Sequence, residues 1–184
     1  SLASEVVLRS VSCDFTGKPY AGEEITDAKV YLTNINAECG MLENGDIRPR
    51  RVINAGRLCK EDLELFEDPD IVCQELGRNI GKLWLKPEIK LWCYPSNAYE
   101  ASIGTPFLLL LIEGKISGQT YYWPININRE DGNTGIDRNR QYIYDIKITR
   151  KGSTDPDIPV EAEDMEIKFK TAIWEEKENC IVGF

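Results

Sequence analysis

The chain has 184 residues, of which 42% are hydrophobic and 29% charged, so it can bury one ordinary core without a metal or an obligatory disulfide. Its formal charge is −9, which opposes binding to nucleic acid or to anionic lipid. It has no histidine, and this argues against histidine-dependent hydrolases and most zinc enzymes. Any chemistry would therefore have to rest on carboxylates or lysines, and we expect no cofactor and no metal.

The first predicted strands lie in the amino-terminal fifth of the chain. In the segment Glu5–Phe15, apolar side chains alternate with polar ones, which is the period of a half-buried strand. The apolar face is predicted to carry Val7, Val11, Cys13 and Phe15. Residues Lys29–Ile35 repeat the alternation and predict a second strand.

A pair of extended stretches is predicted over Lys82–Tyr94. Leu83 and Leu85 share one face of the first stretch, and Ile89, Leu91 and Cys93 share one face of the second. Pro87 stands between the stretches and lacks a backbone N–H, so we expect a bulge or a sheet edge there.

The strongest local unit is a β-hairpin. Its first strand contains the apolar run Phe107–Ile112, and its second strand is Thr120–Asn128, which is rich in aromatic and β-branched residues. Either residues 113–115 or residues 117–119 close the turn. Because the run is apolar on both faces, its strand is expected inside a sheet that is covered on both sides, or under a partner subunit. The run is also far shorter than the roughly 20 residues of a membrane-spanning helix, so no membrane span is expected.

Two further strands are predicted near the carboxyl end, from the alternation over residues 142–149 and over residues 167–173. One or two helical turns are predicted over residues 60–66. In total we count about seven or eight strands, and this favours an all-β fold, an antiparallel β-sandwich, over any α/β fold. No linker-like tract divides the chain, so residues 1–184 are expected to form a single domain.

The six cysteines include no CxxC pair, which argues against zinc-finger and thioredoxin-like sites. Cys13 and Cys93 lie within alternating apolar patterns and are interpreted as buried thiols. Cys39, Cys59 and Cys73 lie near loops, where a disulfide and a thiol are both open.

Three features of the sequence could have a functional or a structural interpretation. Residues 131–137 space oxygen-bearing side chains as a calcium loop does, but the spacing fits a hairpin loop better. The adjacent acidic pairs are interpreted as solvated surface. Four tryptophans could stack on sugar rings, although the core is their commoner location: Trp84, Trp92, Trp123 and Trp174.

Several phrases in order resemble the fimbrillin superfamily of Bacteroidales cell-surface pili, particularly its carboxy-terminal domain. They are Asp27–Asn36, Leu91–Asn97, Tyr121–Asn128, Ile136–Tyr142, Lys151–Val160 and Trp174–Phe184. The resemblance implies a transthyretin-like β-sandwich, export as a lipoprotein precursor, and a place at the cell surface, in a fimbrium or on the outer membrane. It also implies a non-catalytic structural role in fimbriae, with other fimbrial subunits, and a host protein or glycan, as partners.

The resemblance further implies assembly by strand exchange, in which one subunit accepts an extended segment from its neighbour. The end of this chain suits such a segment because its side chains alternate between two faces. The candidate assembly strand is Glu178, Asn179, Cys180, Ile181, Val182, Gly183 and Phe184. The alternative is that these residues form a final strand in their own sheet. Since the chain opens with Ser1 and not with methionine, we expect it to be the carboxy-terminal part of a longer precursor.

A second function is kept beside assembly. A cell-surface carbohydrate-binding module would use exposed tryptophans to stack on sugars, and the same acidic, histidine-free composition permits it. A glycan array with Trp84, Trp92 and Trp123 replaced singly distinguishes the two.

Overall fold

The computed structural model describes residues 3–36, 52–53, 73–95, 108–128, 135–155 and 165–173, with the backbone alone for residues 36, 52–53 and 165–173. These residues form ten β-strands and no helix. In chain order the strands are β1 (Ser4–Cys13), β2 (Thr26–Thr33), β3 (Ile35–Asn36), β4 (Val52–Ile53), β5 (Cys73–Glu75), β6 (Ile89–Cys93), β7 (Leu109–Ile116), β8 (Gln119–Asn126), β9 (Arg140–Ile148) and β10 (Met165–Ile173). The predicted helical turns at residues 60–66 lie outside the described residues.

Eight of these strands form two four-stranded sheets, in the orders β10-β9-β1-β6 and β5-β2-β7-β8, and β3 pairs with β4. Buried apolar residues from both sheets form one hydrophobic cluster. The predicted β-sandwich is therefore confirmed. One pairing departs from an antiparallel arrangement, because β1 and β9 run parallel.

The predicted hairpin is confirmed as β7 and β8, which pair in register from Leu109–Asn126 to Ile116–Gln119. Ser117 and Gly118 close it, with φ angles of 51° and 81°. Positive φ at both central residues matches the right-handed twist of the two strands, and this selects the 117–119 turn over the 113–115 alternative. As predicted from its apolar sequence, β7 lies inside its sheet, between β2 and β8.

The face of β1 that meets the core changes along the strand. Its pairing with β9 shifts register between Leu8 and Ser10, so Arg9 occupies a bulge. Arg9 Nε donates to Asp145 Oδ1 at 3.0 Å, and Ser10 Oγ donates to the same oxygen at 2.6 Å. Before the bulge, Val6 and Leu8 belong to the hydrophobic cluster, whereas Val7, which the sequence predicts there, is buried but lies outside that cluster. Because the bulge inserts one residue, the predicted positions Val11, Cys13 and Phe15 do reach the core.

The segment between β8 and β9 crosses from one sheet to the other, since β8 pairs with β7 whereas β9 pairs with β1 and β10. The expectation of a hairpin loop at residues 131–137 is therefore wrong. Asn128 helps to fix the crossing, because its Nδ2 donates to the carbonyl of Gly135 at 2.8 Å. Residues 131–134 themselves lie outside the described residues.

Of the two stretches predicted on either side of Pro87, the second is β6. The first forms only an isolated bridge, between Leu85 and Val11 of β1. Leu83 does not share the inward face of Leu85 as predicted, because the backbone bends at residues 82 and 83 and the Leu83 side chain is 86% exposed.

Candidate assembly and adhesion surfaces

The candidate assembly strand Glu178–Phe184 lies outside the described residues. What the structure does show is the outer edges of the sheets, where a foreign strand could pair. Among the described strands, β5 and β8 lie at the edges of one sheet, and β6 and β10 at the edges of the other.

The edge of β8 is obstructed. Tyr122 N donates to the carbonyl of Ser153 at 2.8 Å, and Ser153 N donates back to the carbonyl of Tyr122 at 2.9 Å. The outward-facing backbone of Tyr122 is thereby occupied. Two residues further along, on the same outward side, Pro124 has no N–H to offer. These two features prevent a continuous ladder from extending along β8.

The edge of β10 is the longest of the four. All nine residues of β10 pair with β9 in an antiparallel register without a shift, from Met165–Ile148 to Ile173–Arg140. In the described part of the chain no strand pairs with the outer side of β10. Its backbone therefore has the regular geometry that β-augmentation requires.

The remaining two edges, β5 and β6, lie near each other. Gln74 of β5 donates through Nε2 to the backbone carbonyl of Lys90 in β6 at 3.2 Å. Both strands are short, with three residues in β5 and five in β6. A side-chain bond across this opening reduces the backbone available to a foreign strand.

The tryptophans proposed for sugar stacking differ in exposure. Trp123 is fully buried, and its Nε1 donates to the carbonyl of Arg150 at 3.0 Å. Trp92 is half-buried, whereas Trp84 is 46% exposed. Trp174 lies outside the described residues. Of the three described tryptophans, Trp84 has an indole open enough to meet a ligand without a rearrangement of the core.

Trp84 and Leu83 together form an exposed apolar tip beside Lys82. The tip is held at both ends: Cys13 N donates to the carbonyl of Gly81 at 2.8 Å, and Leu85 makes two backbone bonds with Val11. Lys82 braces it from the side, with Nζ 3.2 Å from Thr16 Oγ1. The sequence gives one signal for this tip, which is its position between Gly81 and Pro87, but no signal for the outward direction of Leu83.

The buried thiols predicted at Cys13 and Cys93 are confirmed. Cys13 Sγ donates to the carbonyl of Ile80 at 3.2 Å, and Cys93 Sγ lies 3.8 Å from the carbonyl of Ser4. Burial raises the pKa of Cys13 to about 11 and that of Cys93 to about 12. Thiols held in the protonated form are poor nucleophiles, so both act as core residues. Cys39, Cys59 and Cys180 lie outside the described residues.

Several carboxylates that are at least partly buried have structural partners. Glu5 accepts a hydrogen bond from Gln141 Nε2 at 2.8 Å, and Glu113 accepts one from the Tyr31 hydroxyl at 3.1 Å. Asp145 holds the bulge in β1. Within the residues that the structure describes, no group of three or more cysteine, aspartate or glutamate side chains is placed to bind a metal ion. The described segments also contain no helix long and apolar enough to cross a bilayer.

Comparison with known proteins identifies the fold. No protein-family model and no curated protein matches the sequence. Among solved structures, a candidate cell adhesion protein from Bacteroides eggerthii superposes with a TM-score of 0.63 at 14% identity, covering 94% of this chain and 56% of that one. A fimbrilin, FimA of Porphyromonas gingivalis, gives 0.61 at 15% identity, with 94% and 58% covered.

A candidate cell adhesion protein from Parabacteroides distasonis gives a TM-score of 0.54 at 18% identity, with 94% of this chain and 52% of that chain covered. The chain thus spans between half and three fifths of the length of these proteins. The resemblance noted from the sequence is confirmed at the level of the fold: this chain has the β-sandwich architecture of a fimbrilin and of candidate adhesion proteins of the Bacteroidales.

Proposed function

We propose that this chain is a structural subunit of cell-surface fimbriae, a member of the fimbrillin superfamily that assembles by strand exchange and mediates adhesion. The observation that carries the proposal is the superposition of nearly the whole chain on a fimbrilin, with a TM-score of 0.61 over 94% of its residues. A structural role agrees with Glu5, Glu113 and Asp145, whose carboxylates bond within the fold, and with the buried thiols.

The geometry of the sheet edges supports strand exchange. An incoming segment gains affinity from main-chain hydrogen bonds, so it needs a long and regular edge. The nine-residue β10 meets this requirement, whereas β8 is obstructed at Tyr122 and Pro124. In the proposed assembly, residues Glu178–Phe184 of one subunit are the exchanged strand. Residues 1–184 form one domain, the carboxy-terminal part of a longer precursor, located in a fimbrium or on the outer membrane.

Deleting Ile181–Phe184 tests the proposal. If these residues are exchanged, the shortened protein loses self-association in analytical ultracentrifugation, while the melting temperature of its monomer stays unchanged. If they instead complete their own sheet, the melting temperature falls as well. Leu83→Ser is the matched control, because it removes an exposed apolar side chain outside the deleted segment and should leave assembly intact. Unchanged sedimentation and unchanged melting after the deletion would contradict both roles of the segment.

Carbohydrate binding is the second candidate, favoured by the 46% exposure of Trp84. An exposed indole can stack on the apolar face of a sugar ring. On a glycan array, Trp84→Ala should then abolish reproducible binding. Trp92→Ala serves as the comparison, since its indole is half-buried. Absence of any glycan signal from the unmodified protein counts against this function.

A further inference from the structure

A pocket of about 340 Å³ lies beside the apolar tip. Its floor is apolar and buried, since Cys13 and Phe15 are each only 1% exposed. Leu83 and Leu85 form an apolar wall. The pocket therefore offers a hydrocarbon-lined slot that is fixed by the core beneath it and by the bonds that hold the tip.

The rim of the pocket is acidic. Glu23 and Glu24 both line it, both are exposed, and neither carboxylate forms an ion pair with a described residue. Glu24 is directed over the pocket, because a Cβ placed on Gly81 would lie 3.0 Å from its Oε2. The charge on Glu24 also adds to burial in raising the pKa of the Cys13 thiol, which places that charge close to the pocket floor.

Among the described residues, Lys82 is the one cation that lines the pocket, and it is directed elsewhere. Lys82 Nζ lies 3.9 Å from Asp14 Oδ1 and 3.2 Å from Thr16 Oγ1. Asp14 is itself fixed by Thr16, whose backbone N–H donates to Asp14 Oδ1 at 3.0 Å. Lys82 therefore neutralises Asp14 and leaves the charges of Glu23 and Glu24 uncompensated by the described residues.

An apolar slot with a doubly acidic mouth matches one kind of side chain, which has an aliphatic stem and a cationic head. We propose that this pocket receives an arginine or lysine side chain from a partner protein, and that Leu83 and Trp84 contact apolar residues beside it. The stem packs on Leu83 and Leu85, and the head bonds Glu23 and Glu24. Arginine is the better fit, because its planar guanidinium can bond two carboxylates at once.

The partner is a different protein and not a second copy of this chain. Self-association through the sheet edges would draw its affinity from main-chain hydrogen bonds, whereas this pocket selects for positive charge, which a chain with a net charge of −9 supplies poorly. A basic segment with flanking apolar residues complements both the rim and the exposed tip. The inference concerns an adhesion contact and uses neither Glu178–Phe184 nor β10, so it stands independently of strand exchange.

The test uses a capped pentapeptide, acetyl-Gly-Leu-Arg-Leu-Gly-amide, titrated into the ¹⁵N-labelled protein and followed by amide chemical shifts. Saturable shifts are expected at Glu23, Glu24, Gly81 and Leu83. Replacing arginine by citrulline keeps the shape and removes the charge, and it should weaken binding by about tenfold because charge-assisted hydrogen bonds are lost. A lysine peptide should bind more weakly than the arginine peptide but better than the citrulline one.

The double variant Glu23→Gln/Glu24→Gln should weaken binding of the arginine peptide by about tenfold. Glu75→Gln is the matched control, since Glu75 is also exposed but lines a different pocket, and it should leave binding unchanged. Leu83→Ser removes the apolar wall without touching the charges and should also weaken binding. The inference is wrong if the arginine peptide gives no saturable shifts, if citrulline binds equally well, or if the double variant retains full affinity.

Discussion

Two of the isolated β-bridges among the described residues each pair a strand with a short irregular segment. The tryptophans beside these two bridges differ in how far they are exposed to solvent. Beside the Tyr122–Ser153 bridge, Trp123 is fully buried; beside the Val11–Leu85 bridge, Trp84 is 46% exposed. Trp123 belongs to a regular strand whose alternate side chains face the core, and Trp84 belongs to a bent segment. A bridge therefore shields a strand from solvent only when the covering segment also packs on the side chains of that strand.

Each covering segment contains a glycine, and the two glycines differ in what an added Cβ would contact. A Cβ on Gly152 would lie 2.3 Å from the carbonyl oxygen of Tyr122 and 3.0 Å from Trp123 Cδ2, so that segment rests directly on backbone and indole. The three atoms nearest to a Cβ on Gly81 would all belong to the side chain of Glu24, with Oε2 at 3.0 Å. The first contact is rigid, and the second can give way because it involves the far end of a flexible side chain.

The largest effect is expected from removing the buried indole. Trp123→Ala should lower the free energy of unfolding by about 3–5 kcal/mol, because it empties a core position and removes the hydrogen bond from the indole to the carbonyl of Arg150. Trp84→Ala should cost less than about 1 kcal/mol, since its indole is already partly in water. Urea unfolding of both variants measures the difference. Equal losses would contradict the contrast between the two regions.

A smaller effect is expected at the two glycines. Gly152→Ala should destabilise the protein by about 1–3 kcal/mol, because its Cβ collides with the backbone of β8. Gly81→Ala should stay within about 0.5 kcal/mol, because Glu24 can move aside. Thermal or urea unfolding of the two variants measures the difference in their stability. If Gly81→Ala is the more damaging substitution, the tip and not the β8 edge is the rigidly packed region.

The smallest effect concerns the thiol under the tip. The pKa of Cys13 is about 11 in the folded state, raised by burial from the ordinary value of 9.0, so the folded state retains its proton more strongly than the unfolded state. The contribution of the protonated thiol to the free energy of unfolding is complete below about pH 9 and is lost as the pH rises toward about 11.

By pH 10 this loss should be about 1 kcal/mol. Urea unfolding between pH 8 and pH 10.5 should therefore show a shallower decline for Cys13→Ala than for the unmodified protein. Cys93→Ala tests whether the other buried thiol behaves alike. Identical pH dependence in the unmodified protein and Cys13→Ala would show that Cys13 titrates as freely when folded as when unfolded.

The pattern of the sequence predicted the strands more reliably than the directions of their side chains. Alternation identified β1, β9 and β10, and the Ser117-Gly118 pair was one of two candidates for closing the hairpin. The same alternation assigned Val7 to the core, because a bulge that depends on Asp145 in another strand leaves no periodic signal in β1. The candidate assembly strand Glu178–Phe184 stays a prediction.

The candidate functional surfaces were harder to predict from the sequence. Trp84 and Trp123 both lie beside strand-like patterns, yet their exposures differ because one rests under Gly152 and the other does not. The acidic pocket joins Glu23 and Glu24 to Leu83 and Leu85, which are about sixty residues away in the chain, through the Ile25–Ile80 bridge. No local pattern reports such a contact.

A β-sandwich with an apolar core and buried thiols follows from the sequence alone, because the alternation of apolar and polar side chains is visible among neighbouring residues. The packing of the two sheets sets which residues of β1 reach the core, which sheet receives β9, which edge is obstructed, and which leucine and tryptophan are exposed to water. Those outcomes depend on hydrogen bonds and packing between segments far apart in the chain, and their energies are set when the two sheets come together.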